Sequence, residues 1–195
     1  MILASHVIIT AYGFWLPDDA RGSWSDFVRN WELYCFGPAT KRRTRHQLDP
    51  DGRAYRDRMT TKLRFRPVEF TGEQARNIAN SFAEQIVKSQ IAAHACAILP
   101  AHVHMVIARH RLDVEQLVNL LKGSATKGLT RVGLHPMHDQ AESGTRPPSP
   151  WAAGLWKVFL DSRADVRRAI AYVNENPLKE GKRAQAWKFV EPYER

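Results

Sequence analysis

Alternation of apolar and polar positions divides the chain into short strands and longer helices. Ser5 to Tyr12 reads SHVIITAY, a β-branched run that predicts a strand, stopped by Gly13 and then Pro17. Asp18 to Pro67 has no sustained period. It carries turn signals at Gly22, Gly37-Pro38 and Asp49-Pro50-Asp51-Gly52, and reads as a long irregular insertion. Beyond it, Thr71-Gly72-Glu73-Gln74 is a capping box, in which a hydroxyl and an amide side chain satisfy free amide groups reciprocally. Ala75, Ile78, Phe82 and Ile86 follow at helical spacing, so a helix is predicted to about Gln90. His94 to Leu99 and His102 to Ala108 read as two strands joined tightly at Pro100-Ala101. Asp113 should cap a second helix with Leu117, Leu120 and Leu121 on its inner face. Met137 to Pro150 is polar and proline-rich. Leu155 to Leu160 predicts a fourth strand, and Ser162-x-x-Asp165 caps a third helix through Val173, ended near Asn176 by Pro177.

Without the insertion, the first six elements run βαββαβ. That order predicts an α+β fold of ferredoxin-like or RRM-like type: an antiparallel sheet with helices on one face, followed by one more helix. Such a frame serves many functions, so function has to be argued from side chains. The length of 195 residues suits one domain, 1–195, with an insertion at about 18–67 and a C-terminal extension at about 182–195.

Charge changes the picture more than composition does. The formal net charge is +9, and Lys41 to Arg66 holds ten Lys or Arg against three Asp, so seven of the nine charges sit in one segment. An excess of that kind favours a polyanionic partner. No apolar run approaches the ~20 residues of a spanning helix. Met1 to Leu16 lacks a basic leader, and Cys35 and Cys96 form no CxxC pair; together these suit a cytoplasmic protein without a membrane role. Arg42, Arg43 and Arg45, with Lys122, Lys127 and Arg131 on the second helix, are the candidate phosphate contacts. Trp15, Trp24 and Trp31 beside Arg21 and Arg29 could stack on unpaired bases, or could equally be core residues.

Two groups of residues could carry chemistry. In a strand, His102 and His104 project from one face while Val103 turns to the other, so both imidazoles can address one ion. Read alone, the pair is equally two polar residues on an open sheet face. On the third helix, Val166, Ile170 and Val173 form one stripe, and Tyr172, Asn176 and Arg168 lie on another. Tyr172 and Asn176 are neighbours at i and i+4. Alone, Tyr172 is equally a half-buried ring at a helix–sheet contact, and Asn176 a polar cap before proline.

Together they carry a resemblance. LPAHVHMVI, Leu99 to Ile107, resembles the HUH motif of single-tyrosine transposases, and AYVNENPLKEG, Ala171 to Gly181, resembles their nucleophile helix. In the branch associated with repetitive extragenic palindromes, a Tyr followed four residues later by Asn-Pro is the usual form. The resemblance runs from the first strand to about Gly181 and weakens across Pro17 to Pro67. It implies that Tyr172 is the nucleophile on the C-terminal helix and that His102, His104 and the Asn176 amide oxygen hold Mg²⁺ or Mn²⁺. The activity implied is that of a metal-dependent endonuclease on single-stranded or hairpin DNA, working through a 5′-phosphotyrosine. Many relatives carry Gln where Asn176 stands, and the basic insertion has no counterpart in the minimal core. Minimal relatives are dimers that share a site between chains. The tail from Gln185 to Arg195 leans toward a monomer, with a homodimer as the alternative. A non-catalytic RNA- or DNA-binding module and a HUH nuclease of replication or conjugation are the competing expectations. The first is disfavoured because HACAIL and HVHMVIA lack aromatics.

Overall fold

A computed structural model of the chain describes residues 1–14 and 50–193. The elements in order are β1 (Ala4–Thr10), α1 (Pro50–Thr61), α2 (Gly72–Ser89), β2 (Ala93–Ile98), β3 (His102–Ala108), α3 (Val114–Arg131), β4 (Trp156–Leu160) and α4 (Arg163–Lys179). The four strands form one sheet in the order β2-β3-β1-β4, and every pairing is antiparallel. The expected α+β, ferredoxin-like frame is therefore present.

The two faces of the sheet are built differently. Val7, Ile9, Val103, Met105 and Ile107 point to one face and pack with Ile78, Phe82 and Ile86 of α2 and with Leu117, Leu121 and Leu129 of α3. Each such side chain contributes about 1.5–3 kcal/mol on burial. The opposite face belongs to α4, where Ala4, Ala95, Ala97, Val106 and Leu160 meet Val166, Ala169 and Val173. Four of those eight residues are alanine, so the helix backbone can lie close to the sheet. The helices on one face are thus α2 and α3, and the C-terminal helix closes the other. Both central strands are buried along almost their whole length.

Local signals account for most boundaries. Thr71 caps α2: its hydroxyl accepts from the Gln74 amide at 3.2 Å, and the Gln74 side chain accepts from the Thr71 amide at 2.9 Å. The helix closes on Gln90, whose φ of 57° is left-handed. The Gln116 side chain accepts from the Asp113 amide at the start of α3, and Ser162 caps α4 by accepting from the Asp165 amide.

Three expectations need correction. Pro50 to Thr61 is helical rather than irregular: Pro50 stands in the first turn, where its missing N–H costs nothing, so the Pro-Asp-Gly signal marks a helix start as readily as a turn. Leu120 is 39% exposed and lies off the inner face of α3, whose buried residues are instead Leu117, Val118 and Leu121. The third predicted helix passes through Pro177 to Lys179. Proline near a C-terminus removes only one ladder bond, and the end is closed by Gly181 at φ 67° and by the Lys182 amide donating to the Pro177 carbonyl at 2.8 Å.

The tail after α4 has a definite place. Gln185 donates to the Ile98 carbonyl and accepts from the Ile98 amide, both at 2.8 Å, as a neighbouring strand would. Val190 makes a parallel bridge with Ala93, and the Glu191 amide donates to the Ala93 carbonyl. This covers the edge of β2, which would otherwise present unpaired amides and carbonyls. No helix among the described residues is long and apolar enough to cross a membrane.

Candidate active site

The histidines of interest lie on the α4 face of the two central strands. His104 stands two residues before Val106 on β3, and His102 two before that, so alternation puts all three on one side. On β1, His6 pairs in register with Val106 and Ile8 with His104. His6 is therefore the diagonal neighbour of His104, within reach of a ring. His6 Nε2 and His104 Nδ1 are 3.1 Å apart and share a hydrogen bond. The His102 and His104 ring centroids are 4.8 Å apart, with the planes at 82°.

Helix α4 brings the phenol to this group. The Tyr172 ring centroid lies 5.6 Å from that of His104 and 5.8 Å from that of His6, edge-on to both. Tyr172 remains 45% exposed, so one side of the ring meets the imidazoles and the other is open to solvent. Lys179 Nζ sits 5.0 Å over the ring and also pairs with Glu175 at 2.9 Å. These rings meet within one chain. Asn176 differs from the sequence expectation in one respect. It does not share the exposed side of Tyr172 and Arg168; at 5% exposure it lies on the sheet-facing stripe with Ala169 and Val173. At 100° per residue Asn176 is 40° from Tyr172 and 60° from Val173, so burial against the sheet decides which neighbour it follows.

Three residues of the site escaped the sequence reading. His6 was visible as a polar residue inside an apolar strand, which is the informative kind of exception. Glu180, eight residues after Tyr172, approaches His102 Nε2 with Oε1 at 3.9 Å. Trp156 on β4 lies edge-on to His6 at 5.8 Å. Pairing across strands put the last of these beside the others, and no sequence period signals it.

Burial disfavours the charged forms of His6 and His104. Burial pushes the His6 pKa down from 6.5 to about 4. His104 is held well below the ordinary imidazole value, first by burial and then by the charges that His102 and His6 would carry if protonated. Neutral imidazole is the form that offers a lone pair to a metal. Among the described residues no group of three or more His, Cys, Asp or Glu is arranged to hold a metal ion. A divalent ion here would rest on two imidazoles and an amide oxygen. That mixed nitrogen and oxygen set fits Mn²⁺ and related divalent ions.

The depressed imidazoles make stability depend on pH. Between about pH 6.5 and 4 an unfolded His6 binds a proton and the folded one does not, so the metal-free protein loses stability as pH falls through that window. The His6 shift corresponds to at most about 3 kcal/mol, and His104 acts in the same direction. Urea midpoints at pH 7, 5.5 and 4.5 should fall steadily; a flat profile over that range would contradict the neutral cluster.

Of the candidate phosphate contacts, the three described ones, Lys122, Lys127 and Arg131, are not brought to this site. Lys122 is 9% exposed, and its ammonium donates to the carbonyls of Ala152 and Gly154 ahead of β4. Lys127 and Arg131 are exposed on α3, on the other side of the sheet from the histidines, and Arg131 pairs with Glu84 at 3.6 Å. Arg42, Arg43 and Arg45 lie outside the described residues, as do Trp15, Trp24, Trp31 and Cys35. Exposed basic residues near Tyr172 in the chain include Arg167, Arg168, Lys179, Lys182 and Arg183. Cys96 is buried, and burial pushes its thiol pKa up, which leaves it unreactive.

No protein-family model matches the sequence, and no curated protein matches it. One solved structure with a related backbone is that of a REP-associated tyrosine transposase bound to a REP hairpin. It aligns with a TM-score of 0.49 and 12% identity over 93% of this chain and 70% of that one.

Proposed function

We propose that this chain is a metal-dependent endonuclease that cuts single-stranded or hairpin DNA with Tyr172 as nucleophile and rejoins strands from the covalent intermediate. The observation that carries the reading is the approach of a half-exposed phenol to buried, neutral imidazoles, at 5.6 Å between the Tyr172 and His104 centroids. A tyrosine that served packing alone would turn its ring into the apolar stripe of Val166, Ala169 and Val173. Its sequence setting, HVH on a central strand and YVNENP on the last helix, supports the same assignment.

In this reading His102, His104 and Asn176 would hold the ion, and Glu180 would add negative charge beside His102. A bound Mg²⁺ or Mn²⁺ supplies charge neutralisation at the scissile phosphate. Tyr172 Oη attacks phosphorus and gives up its proton to solvent. The bond from phosphorus to the 3′ oxygen breaks, and that oxygen leaves as a 3′-OH after taking a proton. The product is a 5′-phosphotyrosine, whose ester bond a second 3′-OH can attack to rejoin strands without ATP. Lys179 over the Tyr172 ring and Arg168, Lys182 and Arg183 nearby would meet the phosphates flanking the cut.

A base-stacking module on the same frame finds less support, because α4 covers the sheet face that such modules leave open for bases. The deciding experiment is incubation with pooled single-stranded oligonucleotides and Mn²⁺, followed by denaturing electrophoresis. A covalent protein–DNA band that requires the metal is expected, and its absence with hairpin and linear substrates alike would reject the proposal. Lys122→Met separates structural from DNA-contacting lysines. It should cost about 1–3 kcal/mol by leaving two carbonyls short of a donor. It should also leave the salt dependence of DNA binding unchanged, whereas a flatter salt slope would return Lys122 to the DNA surface.

A further inference from the structure

We infer that His6 is a positioning residue, holding His104 in the tautomer that keeps Nε2 bare for the metal. The inference rests on the nuclease reading of the site and adds to it the partner that orients one ligand.

The argument begins with proton counting. His6 Nε2 and His104 Nδ1 are 3.1 Å apart, so one nitrogen carries the hydrogen and the other accepts it. An imidazole that ligates through one nitrogen carries its single N–H on the other. If His6 donates, His104 carries its only proton on Nε2 and has no lone pair left for an ion. If His104 donates from Nδ1, His6 accepts on Nε2 and His104 Nε2 becomes a ligand. The second arrangement alone lets His104 coordinate. Metal-binding histidines ordinarily donate their other ring N–H to a carboxylate, a backbone carbonyl or water, which sets both tautomer and ring direction; here a second imidazole takes the acceptor's place.

His6 is built to hold that position. Its ring lies 5.3 Å from His104 at an interplanar angle of 27°, with Trp156 edge-on at 5.8 Å and Tyr172 at 5.8 Å. β1 register fixes its backbone opposite Val106. A ring confined by three others has little freedom to turn away, so the orientation it imposes on His104 is set before any ion arrives. The same contacts set it against both His104 and Tyr172.

Two measurements on the full chain test this. Long-range proton–nitrogen correlation spectra of the metal-free protein should show His104 as the Nδ1–H tautomer, and in His6→Leu that preference should be lost. Calorimetric titration with Mn²⁺ should show affinity about 10- to 100-fold weaker in His6→Leu. It should be largely recovered in His6→Gln, whose amide oxygen can accept from His104 Nδ1. A wild-type His104 found as Nε2–H, or an unchanged Mn²⁺ affinity in His6→Leu, overturns the role of His6. If those measurements hold and Tyr172 forms no DNA adduct, the nuclease reading fails while the tautomer assignment stands. If wild-type protein takes up no Mn²⁺, both fall.

Discussion

Tyr172→Phe should abolish the covalent DNA adduct and reduce metal-dependent cleavage by at least about a thousandfold, as removal of a covalent nucleophile does. The change deletes one oxygen from a ring that is 45% exposed and leaves its edge contacts with His104 and His6 in place. Folding stability should therefore move by less than about 0.5 kcal/mol, the range of ordinary surface substitutions. DNA binding should persist, because in the proposed reading the phosphate contacts fall to Arg168, Lys179, Lys182 and Arg183 rather than to the phenol. The measurement is a labelled hairpin or linear strand incubated with Mn²⁺ and resolved under denaturing conditions, with binding followed separately by gel shift. A persistent adduct in the variant would remove Tyr172 as nucleophile. Equal loss of binding and cleavage would make the ring a DNA contact instead.

The second large effect is expected at the imidazoles. His102→Ala and His104→Ala should each lower metal-dependent cleavage by at least about a hundredfold, beyond what disturbing an outer partner of a ligand costs. Both side chains are nearly inaccessible, at 4% and 3% exposure, so each truncation also opens space in the interior. Thermal unfolding of the metal-free variants is the control: cleavage lost in a cooperatively folded variant reports on the ion. High Mn²⁺ should restore part of the activity if affinity is what was lost. Unchanged cleavage in either variant excludes that residue as a ligand. The two histidines need not respond equally. His104 is tied to His6, and His102 faces the Glu180 carboxylate at 3.9 Å.

Much of the frame could be read from the chain because the relevant signals are local. The Thr71 capping box, the β-branched run around Ile8 and the alternation of Val103, Met105 and Ile107 each need only a few neighbouring residues. They yielded α2 and β3 with boundaries within about a residue of the structure, and β1 within two. The misreadings share another cause. Pro50 and Pro177 each read as breaks because proline forbids one amide bond. Whether that bond was needed depends on where in a helix the residue falls.

The candidate site divides along the same line. His102, His104, Tyr172 and Asn176 were legible as two motifs of fixed spacing, since period two in a strand and period 3.6 in a helix are written into the sequence itself. That the motifs face each other was not, because their distance depends on which face of the sheet α4 covers and how closely alanines at 95, 97 and 169 let it approach. His6 and Trp156 join the site through strand register and Glu180 through the end of α4, while Lys122 turns inward to the carbonyls of Ala152 and Gly154. Local periodicity determined the elements and the residue types able to do chemistry. Strand pairing and helix packing, which act between segments about a hundred residues apart in the chain, decided which of those residues meet.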